Sequence, residues 1–195
     1  PVYSKERAEN VYIIVSQKAD ELESFAATEL HHYLNTLFDV IVSITDTVDG
    51  EADNLILLGH PTDHKLLGRA LDEGKHVPLS DQGFLLRRHP AKKLPSMLIA
   101  GGSPRAVLWG VYELVEQYGV RYLLHEDVFP EDAGTFHLPE IDKVFEPIFR
   151  VRSWRTMGDF AMGTESWGMA DYRPLLDQLA KLRFTLIRMG CAPWQ

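Results

Sequence analysis

The sequence predicts an α+β fold, a mixed sheet with helices on one face, followed by the opening strand-loop-helix-strand unit of a (β/α)8 barrel that is cut short. Three observations predict it. Short aliphatic runs with strand character alternate with segments of helical apolar spacing. Pro130, Gly134, Pro139 and Pro147 punctuate a stretch without helical period, which sets a domain boundary near residue 147. Beyond that boundary one strand-helix-strand pattern runs to Gln195, too little to cover a parallel sheet.

Val11, Tyr12, Ile13, Ile14 and Val15 are β-branched or aromatic and read as the first strand. They lead into apolar residues at Leu22, Phe25, Ala26, Leu30, Tyr33, Leu34 and Leu37, the spacing of a helix. Residues 40–44 read as a second strand, and Asp49-Gly50 marks a turn before Leu55-Ile56-Leu57-Leu58-Gly59, a short buried third strand. Residues 61–81 are polar, with a brief helical pattern between Leu66 and Leu71. Residues 83–86 and 97–100 flank a polar, proline-containing stretch and read as a hairpin. In Gly101-Gly102-Ser103-Pro104, Ser103 can cap a helix and Pro104 suits its first turn, while Ala106, Trp109, Val111, Leu114 and Val115 supply an apolar body. Gly119 ends that helix and residues 120–124 read as a last strand. The first domain, 1–147, thus has the order β-α-β-β-β-β-α-β.

In the second domain, 148–195, residues 149–157 are strand-like, 158–168 form a glycine-rich loop, 172–182 have helical spacing and 184–189 form another strand. Two parallel strands need neighbours and cover, which favours the start of a barrel. The alternative, that these strands join the sheet of the first domain, stays open.

Composition sets limits. The 195 residues are 45% hydrophobic and 25% charged, enough for one core and part of another. Apolar runs stay far below the about 20 residues that span a bilayer, so no membrane span is expected. No charged and apolar leader pattern opens the sequence, which leaves the compartment open. The single cysteine, Cys191, excludes an intrachain disulfide and a thiolate metal cage, and with no basic partner in view it reads as an inert thiol. With a net charge of -8 and scattered basic residues, nucleic acid is not an expected partner.

Several stretches carry a resemblance: Ala26-Ala27-Thr28-Glu29-Leu30-His31-His32-Tyr33-Leu34, Asp81-Gln82-Gly83-Phe84, the run from Ile99 through Gly101-Gly102-Ser103-Pro104-Arg105 to Leu114, and Gly119-Val120-Arg121-Tyr122. With Pro147-Ile148-Phe149-Arg150-Val151-Arg152 and the run from Leu176 to Met189, they resemble the N-terminal accessory domain and barrel entrance of exo-acting glycoside hydrolases, the β-N-acetylhexosaminidases, α-glucuronidases and their relatives. The resemblance implies a first domain like the second domain of hexosaminidases, hydrolysis of a terminal glycosidic bond, a carbohydrate substrate, no cofactor, and catalytic carboxylates on later barrel strands beyond Gln195. It also implies that these 195 residues are inactive alone, that the remainder of the barrel is their partner, and that the whole protein is exported. By motif position Arg152 corresponds to the hexosaminidase arginine that hydrogen-bonds the terminal sugar. Ser153 replaces the glycine usual there, and Trp154-Arg155-Thr156-Met157 departs from the hexosaminidase strand, so the α-glucuronidase branch is equally open and Arg155 is a candidate for a substrate carboxylate. A non-catalytic carbohydrate-binding or interaction module is the alternative class.

The remaining candidates are weighed on chemistry. Glu165, with Asp159 and Asp171, lies in or beside the loop after the first barrel strand, where barrels place active sites. Trp167 in the same loop, and Trp194 after the second strand, suit the apolar face of a sugar. The Gly101-Gly102 turn lacks the Walker lysine and the three-glycine fingerprint, and Pro104 removes a donor, so it reads as a structural turn rather than a nucleotide site. His31 and His32 diverge by about 100° on a helix, and His60 and His64 lack a third ligand, so no metal site is expected.

Overall fold

The computed structural model of the protein describes residues 7–48, 50–72, 78–89, 94–155 and 164–188. In chain order the elements are β1 (Glu9–Ile14), α1 (Glu21–Leu37), β2 (Val40–Thr45), β3 (Asn54–Gly59), α2 (Lys65–Asp72), β4 (Phe84–His89), β5 (Ser96–Gly101) and α3 (Pro104–Gln117). They continue with β6 (Arg121–Tyr122), β7 (Asp127–Val128), β8 (Asp142–Phe145), β9 (Ser153–Arg155), a 3-10 turn (Thr164–Ser166), α4 (Met169–Lys181) and β10 (Leu186–Arg188). Two compact units emerge, one of Pro1–Tyr118 with Glu131–Glu146, the other of Gly119–Pro130 with Pro147–Gln195.

The first unit is built on a sheet of order β2-β1-β3-β5-β4-β8. β2, β1, β3 and β5 run parallel, and β4 runs antiparallel to both β5 and β8. The expected hairpin is present, with Phe84 opposite Gly101 and His89 opposite Ser96. Strands β3 and β5 are buried along their whole length. Leu55, Leu57, Leu98 and Ala100 face one side, with Ile14 and Leu85, and pack under Leu67 and Leu71 of α2. Ile56, Leu58, Met97 and Ile99 face the other side and are also buried. There α3 lies so close that a Cβ on Gly110 would sit 2.7 Å from the Ile99 side chain. α1 packs against α3. Each buried aliphatic side chain contributes about 1.5–3 kcal/mol, so this double-sided core dominates the unit.

Two expectations are corrected. The helices do not share one face, because α2 closes the opposite side. Inner parallel strands that are apolar on both faces require cover on both, and the eight-residue α2, with Leu67 and Leu71 one turn apart, supplies it. Residues 120–124 do not end the main sheet. Among the described residues β6 pairs with β7 in a separate two-stranded sheet, and the edge strand beside β4 is β8, from the proline-punctuated stretch without helical period. β8 is fixed by Phe145, whose ring stacks on Phe84 at 4.7 Å, and by Asp142, which accepts from Arg87 Nε at 2.8 Å.

The helix ends follow local chemistry. Asp20 caps α1 by accepting the Leu22 N–H at 2.7 Å, while Glu23 accepts the Asp20 N–H at 3.0 Å, a capping box. α3 starts as expected, with Ser103 at the cap and Pro104 in the first turn. α4 ends in a Schellman arrangement, in which the Phe184 N–H reaches Leu179 O at 2.9 Å and the Arg183 N–H reaches Ala180 O at 3.0 Å. Arg183 occupies the left-handed position, φ 62°, where glycine is usual.

Among the described residues no helix is long and apolar enough to cross a membrane.

Candidate functional site

In the second unit β9 and β10 pair in parallel in a sheet of their own, with α4 as the connection. The register sets Ser153 opposite Leu186, Trp154 opposite Ile187 and Arg155 opposite Arg188. Arg155 and Arg188 therefore lie abreast at the carboxyl ends of neighbouring strands, and both residues are exposed. The pairing of Arg188 with Arg155 escaped the sequence reading. Its signal is that Arg155 and Arg188 each close a short strand, but register between strands of different loops is not written in either one.

Arg152 lies at the other end of the same strands, just before β9. Its Nε donates to Arg183 O and its Nη1 to Phe149 O, each at 2.7 Å. Its backbone is tied to the residue before β10: the Arg152 N–H donates to Thr185 Oγ1 at 2.9 Å, and the Thr185 N–H donates to Arg152 O at 2.8 Å.

Trp167 follows the 3-10 turn and stands at the start of α4, 38% exposed. Its ring meets Tyr172 at 5.5 Å in an edge-on arrangement, and the Tyr172 hydroxyl donates to Thr164 O at 2.7 Å. The indole is thus held on one side while part of its surface stays open. Glu165 belongs to the same turn. Asp171 is used locally, accepting the Gly168 N–H at 2.9 Å at the start of α4. Asp159, Cys191, Trp194 and residues 158–163 lie outside the described residues.

The rival sites of the first unit are occupied by structural work. The Gly102 N–H donates to Gly83 O at 2.9 Å, and Ser103 Oγ donates to Asp81 O at 2.6 Å. Arg105 reaches the Asp81 carboxylate at 2.7 Å, so a carboxylate already lies near this helix start. A Cβ on Gly101 would stand 2.4 Å from Val107 N, and one on Gly102 would stand 1.9 Å from Ser80 O. Both glycines serve close chain packing. An adjoining cavity of about 260 Å³ is lined by His60, Thr62, Leu71, Leu85, Ala100 and the glycines among others, with no Lys or Arg among its described lining residues.

His64 is buried, with Nε2 at 3.0 Å from Ile14 O and Nδ1 accepting the Leu67 N–H at 3.2 Å, which makes it the cap of α2. These contacts require the proton on Nε2. His60 Nδ1 pairs with Thr62 Oγ1 at 2.8 Å, and His31 with Asn35 at 3.2 Å. Among the described residues no group of three His, Cys, Asp or Glu could hold a metal ion.

Comparison with known proteins gives these residues a context. No curated protein matches the chain. Several solved structures do. A family GH115 4-O-methyl-α-glucuronidase with specificity for decorated arabinogalactans is 18% identical with a TM-score of 0.68, covering 94% of this chain and 25% of that one. CpGH84D is 9% identical with a TM-score of 0.59, covering 93% of this chain and 27% of its own. A mutant Streptomyces plicatus β-hexosaminidase in complex with its product GlcNAc is 14% identical with a TM-score of 0.53, covering 92% of this chain and 30% of that one. At these identities the likeness is one of fold, and the chain spans only about a quarter of the length of the first of them. The family model described as glycosyl hydrolase family 67 N-terminus matches residues 3–114, more than half of the chain. This match over more than half of its length places the chain in the glycosyl hydrolase family 67 N-terminus family.

Proposed function

We propose that the chain is the N-terminal portion of a glycoside hydrolase that removes terminal sugars from poly- or oligosaccharides, and that residues 148–195 open its (β/α)8 barrel. The observation that carries this reading is the parallel β9-α4-β10 unit in the same chain as a glycosyl hydrolase family 67 N-terminal domain. Two parallel three-residue strands are not a stable sheet. Around them Ile148, Phe149, Val151 and Leu186 are 94%, 72%, 65% and 47% exposed, an apolar surface that further barrel strands would cover.

In such a barrel the active site forms at the carboxyl ends of the strands and in the loops that follow them. Arg155 stands at that end of β9, and Glu165 and Trp167 lie in the β9-α4 connection. Arg155 offers a planar fork of donors to a carboxylate or to vicinal hydroxyls. Trp167 offers a partly open, braced ring to the apolar face of a sugar. The catalytic carboxylates belong to later strands, so the 195-residue chain alone is inactive and its first domain is structural.

The test is to assay the full-length protein on a broad panel of aryl glycosides and glucuronic-acid-bearing oligosaccharides. Release of a terminal monosaccharide supports the reading, and no turnover on any of them sinks it. Isothermal titration of the 195-residue chain separates the binding-module alternative, which requires measurable glycan affinity without the rest of the barrel.

A further inference from the structure

We infer that Arg152 is a positioning residue that staples β9 to β10 at their amino ends and thereby sets where Arg155 stands, rather than a ligand for the sugar. Two of its guanidinium nitrogens are committed to Phe149 O and Arg183 O, both at 2.7 Å. Its own N–H and C=O are spent on Thr185, and Leu186 N also approaches Arg152 O, at 3.3 Å. Apart from Leu186, the first residue of β10, these partners precede the strands they serve.

The chemistry explains why an arginine is needed. Arg183 holds the left-handed position that ends α4, and its carbonyl cannot continue the helix ladder. A charged donor satisfies that carbonyl and ties the helix end to the entry of β9 in one step. The guanidinium fork reaches a second carbonyl on its own side, which a lysine ammonium on a flexible stem would not hold with the same geometry. The staple then fixes the register that sets Arg155 opposite Arg188, three residues further along. That the far end is the substrate end rests on the barrel reading above. The staple itself does not.

The experiment compares Arg152→Ala, Arg152→Lys and Arg155→Ala in the full-length protein, by amide hydrogen exchange over residues 150–188, thermal melting, and steady-state kinetics on whichever panel substrate the wild type cleaves. For Arg152→Ala, exchange in β9 and β10 accelerates by about tenfold or more, as expected for losing charged hydrogen bonds, and the melting temperature falls. Arg152→Lys lies between, which keeps the comparison usable if the alanine variant does not fold. Arg155→Ala leaves exchange and melting at wild-type values and raises KM. The inference is overturned if Arg152→Ala keeps wild-type exchange and melting while raising KM, the signature of a sugar ligand. If the wild type cleaves nothing, the glycosidase reading falls, and exchange and melting still decide the staple.

Discussion

The buried Glu23 carboxylate accepts the His60 backbone N–H at 2.8 Å, joining the first turn of α1 to the chain just after β3. The other oxygen closes the α1 capping box on Asp20 at 3.0 Å. Glu23 is 3% exposed, so one side chain satisfies two backbone donors that little water can reach.

Replacing it therefore exceeds the cost of an ordinary cap. Glu23→Ala should destabilise by about 2–3 kcal/mol, a lost cap plus an unsatisfied buried donor, whereas Asp20→Ala should cost about 1 kcal/mol. Equilibrium urea denaturation of the two variants checks this. Equal costs would mean that the His60 contact contributes nothing.

The glycines around Ser80 predict a contrast. On Gly102 a Cβ would strike Ser80 O, a backbone atom, at 1.9 Å, and nothing flexible can yield, so Gly102→Ala should cost about 3 kcal/mol or more. On Gly83 the Cβ would meet the Glu146 carboxylate, also at 1.9 Å, which can swing away. It then loses the Ser80 N–H at 2.8 Å and Ser80 Oγ at 2.6 Å, about 1–3 kcal/mol. Gly83→Ala and Glu146→Ala remove the same contacts, so a double-mutant cycle should return much less than the sum. Additive costs would separate the two residues.

These examples show what the sequence discloses and what it hides. The strands β1, β3, β4 and β5 and the helices α1 and α3 were legible because their apolar periods are long or continuous and their caps are local, as with Ser103 and Pro104. α2 and β8 were not. α2 offers Leu67, Ala70 and Leu71 and β8 offers Val144 and Phe145, short apolar sets, because each element is short and takes its stability from a surface already built. At the candidate site, residue types were legible and positions were not. Arg152 and Arg155 look equivalent in a line of text, and only pairing with Thr185 and Arg188 places them at opposite ends of β9. The Glu23 contact with His60 joins residues far apart in sequence and leaves no local trace beyond the capping box.

Tyr118 predicts an alkaline signature. Its ring is buried against Phe38 and Phe136, and its hydroxyl finds no hydrogen-bond partner among the described residues. Burial pushes the phenol well above its ordinary value, with Arg88 pulling it partly back. A raised folded value means that the neutral form belongs to the folded state. Its contribution is whole below about pH 10, the ordinary phenol value, and is lost as pH climbs above it, because the unfolded phenol ionises first. Tyr118→Phe should leave stability at neutral pH unchanged or raise it by about 1 kcal/mol. It should also flatten the loss seen above pH 10 relative to wild type. Denaturation at pH 7 and at pH 10.5 to 11 decides it, and a variant clearly less stable at pH 7 would reveal a partner for the hydroxyl.

The second unit carries an ion pair of a different kind from those on the surface. Lys181 Nζ lies 2.8 Å from Asp127 Oδ2 and 3.0 Å from Oδ1, with the two side chains only 12% and 15% exposed. Gln178 Nε2 donates to the same carboxylate at 2.9 Å, and the Tyr122 ring lies 5.8 Å from the ammonium. The pair thus fastens α4 to the β6-β7 hairpin. Removing one partner strands a charge that water reaches poorly, so Lys181→Met or Asp127→Asn should each cost about 2–4 kcal/mol. An exposed pair such as Arg7 with Glu51 should cost less than about 1 kcal/mol on the same treatment. Replacing both partners by apolar residues leaves no stranded charge, so Asp127→Leu with Lys181→Met should recover much of the single-variant loss. Salt discriminates further, because screening acts on exposed pairs and little on shielded ones. Denaturant melts of the full-length singles and the double, at low salt and at 1 M NaCl, test the whole set. Singles that cost under about 0.5 kcal/mol, or that match wild type once salt is added, would reduce the pair to a surface contact.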